Sequence, residues 1–120
     1  EPINTRDIPG YFLNHTSEAR AIIYEVGEPN LGLQFDIYHR QIVEGDVATA
    51  IREYAHLTRH YQIANPPDRG DPDEGELNYA WLFKLIDETG FDGWIGCEYR
   101  PRRGTIEGLK WVERCGVRLG

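Results

Sequence analysis

Apolar residues recur along the chain at helical spacing. Between residues 17 and 26, Ala19, Ile22, Ile23 and Val26 stand at i, i+3, i+4 and i+7, one face of a helix. Thr16 or Ser17 supplies the N-cap and Gly27 the stop. Val47, Ala50, Ile51 and Tyr54 repeat the spacing after a capping Asp46, in a helix that ends near Leu57. A third helix is expected over about residues 78–89, with Trp81, Leu82, Leu85 and Ile86 inward. A fourth starts near Thr105 and presents Ile106, Leu109 and Val112 before Gly116. The aromatic residues in these stripes read as core. Short runs of strand character lie between the helices, at residues 31–36, 60–64 and 93–98.

Strands alternating with helices imply βαβ units, right-handed crossovers and a parallel sheet. If residues 1–3 are the tail of a further strand, four β/α units result, half of an eight-stranded barrel. A barrel closes only with all its strands. The other half must come from a longer parent chain or from another copy, unless the topology is different. We expect residues 1–120 to be one domain and a fragment of a longer polypeptide, because a free half-barrel exposes sheet edges and an apolar face.

Composition narrows the function. A net charge of −7 disfavours nucleic acid, whose binders gather lysine and arginine against phosphate. Arg100, Arg102 and Arg103 form a local basic cluster, read as a solvated face. No apolar run is long enough to span a membrane and no basic, apolar leader opens the sequence, so the expected setting is cytosolic. Cys97 and Cys115 lack zinc-site or redox spacing and read as structural thiols.

The candidate chemistry lies where the strand-like runs end. Glu1, Asp36 and Glu98 are strand-end acids, and Gln62 stands within the intervening strand. In a parallel barrel the strand C-termini converge on one mouth, so these side chains can meet. Carboxylates brought together repel unless protonated or bridged by a cation. An all-oxygen set of carboxylates and one amide suits Mg2+ or Mn2+ better than zinc. His39, in the expected loop beyond Asp36, is within reach of a substrate oxygen. The Pro/Gly/Asp-rich stretch 65–75 follows the Gln62 strand directly, as an active-site loop would, and carries Arg69.

Glu-Pro-Ile-Asn at 1–4, Phe-Asp-Ile-Tyr-His at 35–39, Tyr-Gln-Ile-Ala-Asn at 61–65, Gly-Glu-Leu-Asn-Tyr at 75–79 and Gly-Trp-Ile-Gly-Cys-Glu-Tyr at 93–99 together resemble the hydroxypyruvate isomerase family of xylose-isomerase-like barrels. The resemblance spans nearly the whole chain and matches only the C-terminal half of the family's (β/α)8 TIM barrel. It implies Glu1, Asp36, Gln62 and Glu98 as metal ligands, Glu1 and Glu98 as the acid/base pair, and His39 and Arg69 as substrate contacts. The related ketose 3-epimerases look similar but carry histidine where this chain has Gln62. The sibling 2-oxotetronate isomerases stay open.

The implied reaction moves a proton between C3 and C2 of hydroxypyruvate through an enediolate, giving 2-hydroxy-3-oxopropanoate. One glutamate removes the proton and the other returns one, while Mg2+ or Mn2+ offsets the developing charge. The partners expected are a small 2-oxo acid and either the missing half-barrel or a second copy. A non-catalytic half-barrel that pairs through its edges is the reading from another class. An endonuclease on the same barrel would need a histidine-rich multi-metal site and a basic groove.

Overall fold

The computed structural model describes residues 1–118. Its described strands are β1 (Leu33–Asp36), β2 (Thr58–Ile63) and β3 (Trp94–Cys97), side by side in that order and all parallel. Helix α1 (Thr16–Val26) precedes β1, α2 (Ile37–Val43) and α3 (Val47–Tyr54) connect β1 to β2, and α4 (Tyr79–Glu88) connects β2 to β3. Two short turns, α5 (Thr105–Gly108) and α6 (Trp111–Arg114), follow. Sequential parallel strands joined by helices are the repeating pattern of a β/α barrel.

Alternation within the strands divides the sheet into two faces. Leu33 and Phe35 of β1, with Tyr61 and Ile63 of β2, are buried against the helices. The helix side is closed by Val47, Ala50, Ile51 and Tyr54 of α3 and by Leu82, Leu85 and Ile86 of α4. Every member of the expected α3 stripe is buried, as are those three of α4.

Several expectations are corrected. Residues 1–4 make no strand; Pro2 has no N–H to give to a ladder, and the segment is tied instead by Ile3 N donating to Leu13 O at 2.9 Å. Three strands are therefore described, where the pattern implied four. Helix α1 has its stripe only partly covered: Ala19 is buried while Ile22 and Val26 are exposed. Its N-cap is His15, whose N–H donates to Glu18 Oε2 at 3.0 Å, and the Thr16 hydroxyl is drawn away to Glu44 Oε2 at 2.8 Å. Asp46 precedes α3, in a left-handed conformation, without a side-chain capping bond. Helix α3 stops at Tyr54, short of Leu57.

Trp81 of α4 is exposed, contrary to a core role. The expected fourth helix is broken into α5 and α6, and Ile106 is 87% exposed. Gly108 ends α5 where a Cβ would lie 3.1 Å from Asp71 Oδ1 and from Pro101 Cβ. A side chain there would need its neighbours to shift, and the glycine itself weakens a helix interior. Cys97 and Cys115 are free thiols.

The packing gives a direct expectation in a complete protein that contains this chain. Ile51→Ala, at a fully buried position, lowers unfolding free energy by about 2–5 kcal/mol. Arg52→Ala, exposed on the next position of the same helix, changes it by less than about 0.5 kcal/mol. Denaturant titration separates them, and equal losses would contradict the assigned face.

Candidate active site

The face of the sheet turned away from the helices is polar at its C-terminal end. Gln34 and Asp36 share that face of β1, because side chains two apart point the same way. The register sets Asp36 opposite Gln62 and Gln62 opposite Gly96. Glu98 stands one residue beyond β3, and its N–H still donates to Ile63 O at 3.2 Å, which carries the ladder past the strand end. Glu1 comes alongside from the irregular first segment.

Asp36 does two things at once. It caps α2, its Oδ1 accepting from Tyr38 N at 2.8 Å and from His39 N at 3.3 Å. Its Oδ2 is left to face Arg69 Nη2 at 3.5 Å and His39 Nε2 at 3.7 Å. His39 is thus on the first turn of a helix, correcting its expected place in a loop.

These groups form one connected network. Gln34 Nε2 donates to Glu1 Oε2 at 2.8 Å and also to Gln62 Oε1. Gln62 Nε2 donates to Glu98 Oε2 at 2.9 Å, the same oxygen that takes Arg69 Nη2 at 2.5 Å. Arg69 is held by backbone as well as charge. It adopts a left-handed conformation, φ 59°, in a turn closed by reciprocal bonds between Asn65 and Gly70. Its carbonyl accepts from Arg100 N at 2.8 Å, and its guanidinium lies 5.0 Å from the centre of the Tyr38 ring.

The loop that carries Arg69 is ordered from within. Asn65, fully buried, donates through Nδ2 to Pro72 O and Leu77 O and accepts at Oδ1 from Leu77 N. Arg102 ties its rim by pairing with Asp68 and Glu74, and Arg103 joins Glu74. The basic cluster is therefore spent partly on this loop, and Glu98 pairs with Arg69.

Electrostatics reflect the crowding. Burial, then the neighbouring Asp36 and, less, Glu98, raise the Glu1 carboxyl from 4.5 to about 7. Burial raises Asp36 as well, against the capping N–H groups and Arg69. Burial and then Arg69 lower His39 to about 4, so the ring is neutral at physiological pH.

Glu1, Asp36 and His39 each put one potential ligand atom within 4.8 Å of the others. Glu98 is not part of that group, its Oε2 being engaged by Arg69 and Gln62; the carboxylate oxygens of Glu1 and Asp36 are donors of the kind a hard divalent cation takes.

All six side chains singled out in the sequence, Glu1, Asp36, Gln62, Glu98, His39 and Arg69, belong to this one network. Sequence reasoning missed Gln34, which links Glu1 to Gln62, and Asn4, which is bonded to His39. The signal for Gln34 was the alternation Leu33-Gln34-Phe35-Asp36, which sets it beside Asp36. The signal for α2 was Asp36 as a cap ahead of Ile37, Ile42 and Val43.

Parallel β/α units with acids and amides gathered at one strand end define a segment of a β/α-barrel enzyme-type mouth. The model of the xylose isomerase-like TIM barrel family matches residues 1–115, and the chain belongs to that family. It is 58% identical over 113 residues to a 2-oxo-tetronate isomerase of Cupriavidus necator, covering 94% of this chain and 44% of that protein. It is 46% identical over 113 residues to the hydroxypyruvate isomerase of Escherichia coli, with the same coverage of 94% and 44%. A solved structure described as an AP endonuclease, family 2, from Brucella melitensis superposes with a TM-score of 0.91 at 47% identity, over 94% of this chain and 44% of that one. The chain thus spans less than half the length of these relatives.

The raised Glu1 carboxyl would make ligation of a cation by this group a proton-linked event. Below pH about 7 the group holds a proton that a ligating carboxylate would have to release, so the expected outcome of a Mn2+ titration is an affinity that rises as pH climbs toward and through that value. The same shift means that folded-state stability from this group falls as pH rises from 4.5 to about 7, because the folded form binds the proton more tightly. Calorimetry at pH 6 in buffers of different ionisation enthalpy measures the released proton. Binding at pH 6 without proton release contradicts the shift.

Proposed function

We propose that the complete protein is an isomerase of small 2-oxo acids, interconverting hydroxypyruvate and 2-hydroxy-3-oxopropanoate. The observation that carries this reading is the convergence of Glu1 and Glu98, with Asp36, Gln62 and Arg69, on a single polar strand end. The names of the relatives support the reaction class. Glu1, Asp36, Gln62 and Glu98 would hold Mg2+ or Mn2+; when bound, the cation supplies positive charge against the enediolate oxygens.

The chain's own residues account for the rest of the reaction. One of the two glutamates, Glu1 or Glu98, takes a proton from C3 and the other gives a proton to C2, while the hydroxyl proton of O3 passes to O2, so that C3 becomes the aldehyde and C2 the alcohol. A carboxyl with its pKa near 7, as at Glu1, is suited to both giving and taking. Arg69 offers its guanidinium to the substrate carboxylate, and His39 contacts a substrate oxygen. The four-carbon 2-oxotetronate is the second candidate substrate, favoured by the 58% identity to an isomerase of that name. A ketose epimerase fits less well, since Gln62 replaces the expected histidine. Phosphodiester cleavage is disfavoured by the charge of −7.

The remaining half of the barrel, from the same polypeptide, is the partner that would cover the open edges of β1 and β3, with a second copy as the other source. A cytosolic setting is part of the same proposal. No helix among the described residues is long and apolar enough to cross a membrane.

The test is conversion of hydroxypyruvate and of 2-oxotetronate by the complete protein with Mn2+ or Mg2+. Glu98→Gln is expected to lower kcat by about 10²–10⁴-fold while leaving the circular dichroism spectrum and unfolding midpoint unchanged, and chelation is expected to abolish turnover reversibly. A folded protein that converts neither acid, or turnover indifferent to both changes, overturns the proposal in favour of a non-catalytic barrel.

A further inference from the structure

Asn4 is completely buried and His39 is 2% exposed. Two donors from Asn4 converge on the same ring nitrogen: the backbone N–H lies 3.3 Å from His39 Nδ1, and the side-chain Nδ2 lies 2.7 Å from it. A backbone amide can only donate, so Nδ1 must offer a lone pair. The side-chain amide has its orientation fixed independently, because Asn4 Oδ1 accepts from Asp7 N at 2.8 Å. Flipping that amide would set donor against donor at Asp7 and acceptor against acceptor at the ring.

The ring itself is also held. It sits edge-on to Tyr38 at 5.3 Å between centroids, and Tyr38 is anchored by its hydroxyl donating to Asp7 Oδ2 at 2.6 Å. Turning the imidazole over would present a carbon to both Asn4 donors and leave them unsatisfied in a dry environment, a costly arrangement. A neutral ring whose Nδ1 accepts carries its proton on Nε2. That nitrogen faces the mouth, 3.7 Å from Asp36 Oδ2, too far for a direct hydrogen bond but with the carboxylate on the side where an N–H is favoured.

We infer that Asn4 is a positioning residue that locks His39 as the Nε2–H tautomer, so that the histidine acts as a hydrogen-bond donor to a substrate oxygen and stands outside the metal-ligand set. Proximity alone groups His39 with Glu1 and Asp36 as a possible ligand; a protonated Nε2 has no lone pair to give. Cation binding then falls to the oxygen donors, Glu1, Asp36, Gln62 and Glu98, which keeps the site hard and all-oxygen. The substrate clause rests on the isomerase reading, whereas the tautomer and the ligand exclusion do not.

The direct test needs no variant: long-range proton–nitrogen correlation spectra of the complete protein with 15N-labelled histidine, near pH 7. The expected pattern for His39 is an imine-type Nδ1 and a pyrrole-type Nε2, retained when Mg2+ is added. A proton on Nδ1, or a metal-induced loss of the Nε2 proton, overturns the inference. Asn4→Asp is nearly isosteric and turns an acceptor toward the ring, so it should move the proton from Nε2 to Nδ1. It should also raise KM for hydroxypyruvate by about tenfold, the loss of one hydrogen bond to a charged or polar substrate group. An unchanged His39 spectrum in that variant removes Asn4 from the role. If the unsubstituted protein shows the expected tautomer yet converts no 2-oxo acid, the isomerase reading fails and the locked tautomer stands.

Discussion

Glu1, Asp36 and Glu98 are held at one end of a parallel sheet, and the guanidinium of Arg69 reaches two of them. Negative charge collected this way is unfavourable unless something offsets it, and much of the surrounding structure is arranged to do so. The α2 N-terminus takes up one oxygen of Asp36. Gln34 and Gln62 turn amide N–H groups toward Glu1 and Glu98. Arg69 reaches both Asp36 and Glu98. What these contacts leave unbalanced shows in Glu1, which burial and its acidic neighbours raise to about 7. The proposed cation would relieve repulsion that folding alone does not remove.

The helix-facing side supplies the rigidity that this arrangement requires. Phe35 and Tyr61 pack at 5.5 Å between ring centroids, and Tyr61 meets Phe91 at 4.8 Å, beneath the strands whose opposite faces carry Asp36 and Gln62. Tyr79, at the start of α4, donates to Ala64 O at 2.9 Å, fixing the strand-to-loop junction from which Asn65 and Arg69 depart. The loop in turn is stapled by Asn65 inside and Arg102 outside. Asp36, Gln62, Glu98 and Arg69 are therefore positioned by strand pairing, capping or loop hydrogen bonds of the backbone, and Glu1 by the Gln34 side chain.

Much of this was legible in the sequence, and the parts that were not have identifiable causes. The stripe of α3, and Leu82, Leu85 and Ile86 of α4, were readable because those faces are buried in the core, whereas Trp81 lies outside it. The strand-end acids were readable because parallel topology sends strand ends to one place. Helix α2 was hidden because Asp36 looked like a strand terminus, and because Ile37, Tyr38, Ile42 and Val43 have β-type character; the capping bonds of Asp36 decide the matter. The break between α5 and α6 falls at Gly108, a poor helix former inside the expected stripe, and a Cβ there would come close to Asp71 and Pro101 from distant segments, which no local pattern carries. Gln34 and Asn4 escaped for a related reason, since amides acquire a role only when their partners, Glu1, Gln62 and His39, are placed beside them.

The central proposal is that the four oxygen-bearing side chains Glu1, Asp36, Gln62 and Glu98 would surround one divalent cation, with His39 beside it and not bound to it. Crystals of the complete protein grown with Mn2+, with anomalous differences recorded near the manganese edge, measure this most directly. The account predicts one strong peak with Glu1, Asp36, Gln62 and Glu98 oxygens at coordination distance and His39 Nε2 outside it. A peak ligated by His39, or no peak at this mouth in a protein that binds manganese elsewhere, would contradict it.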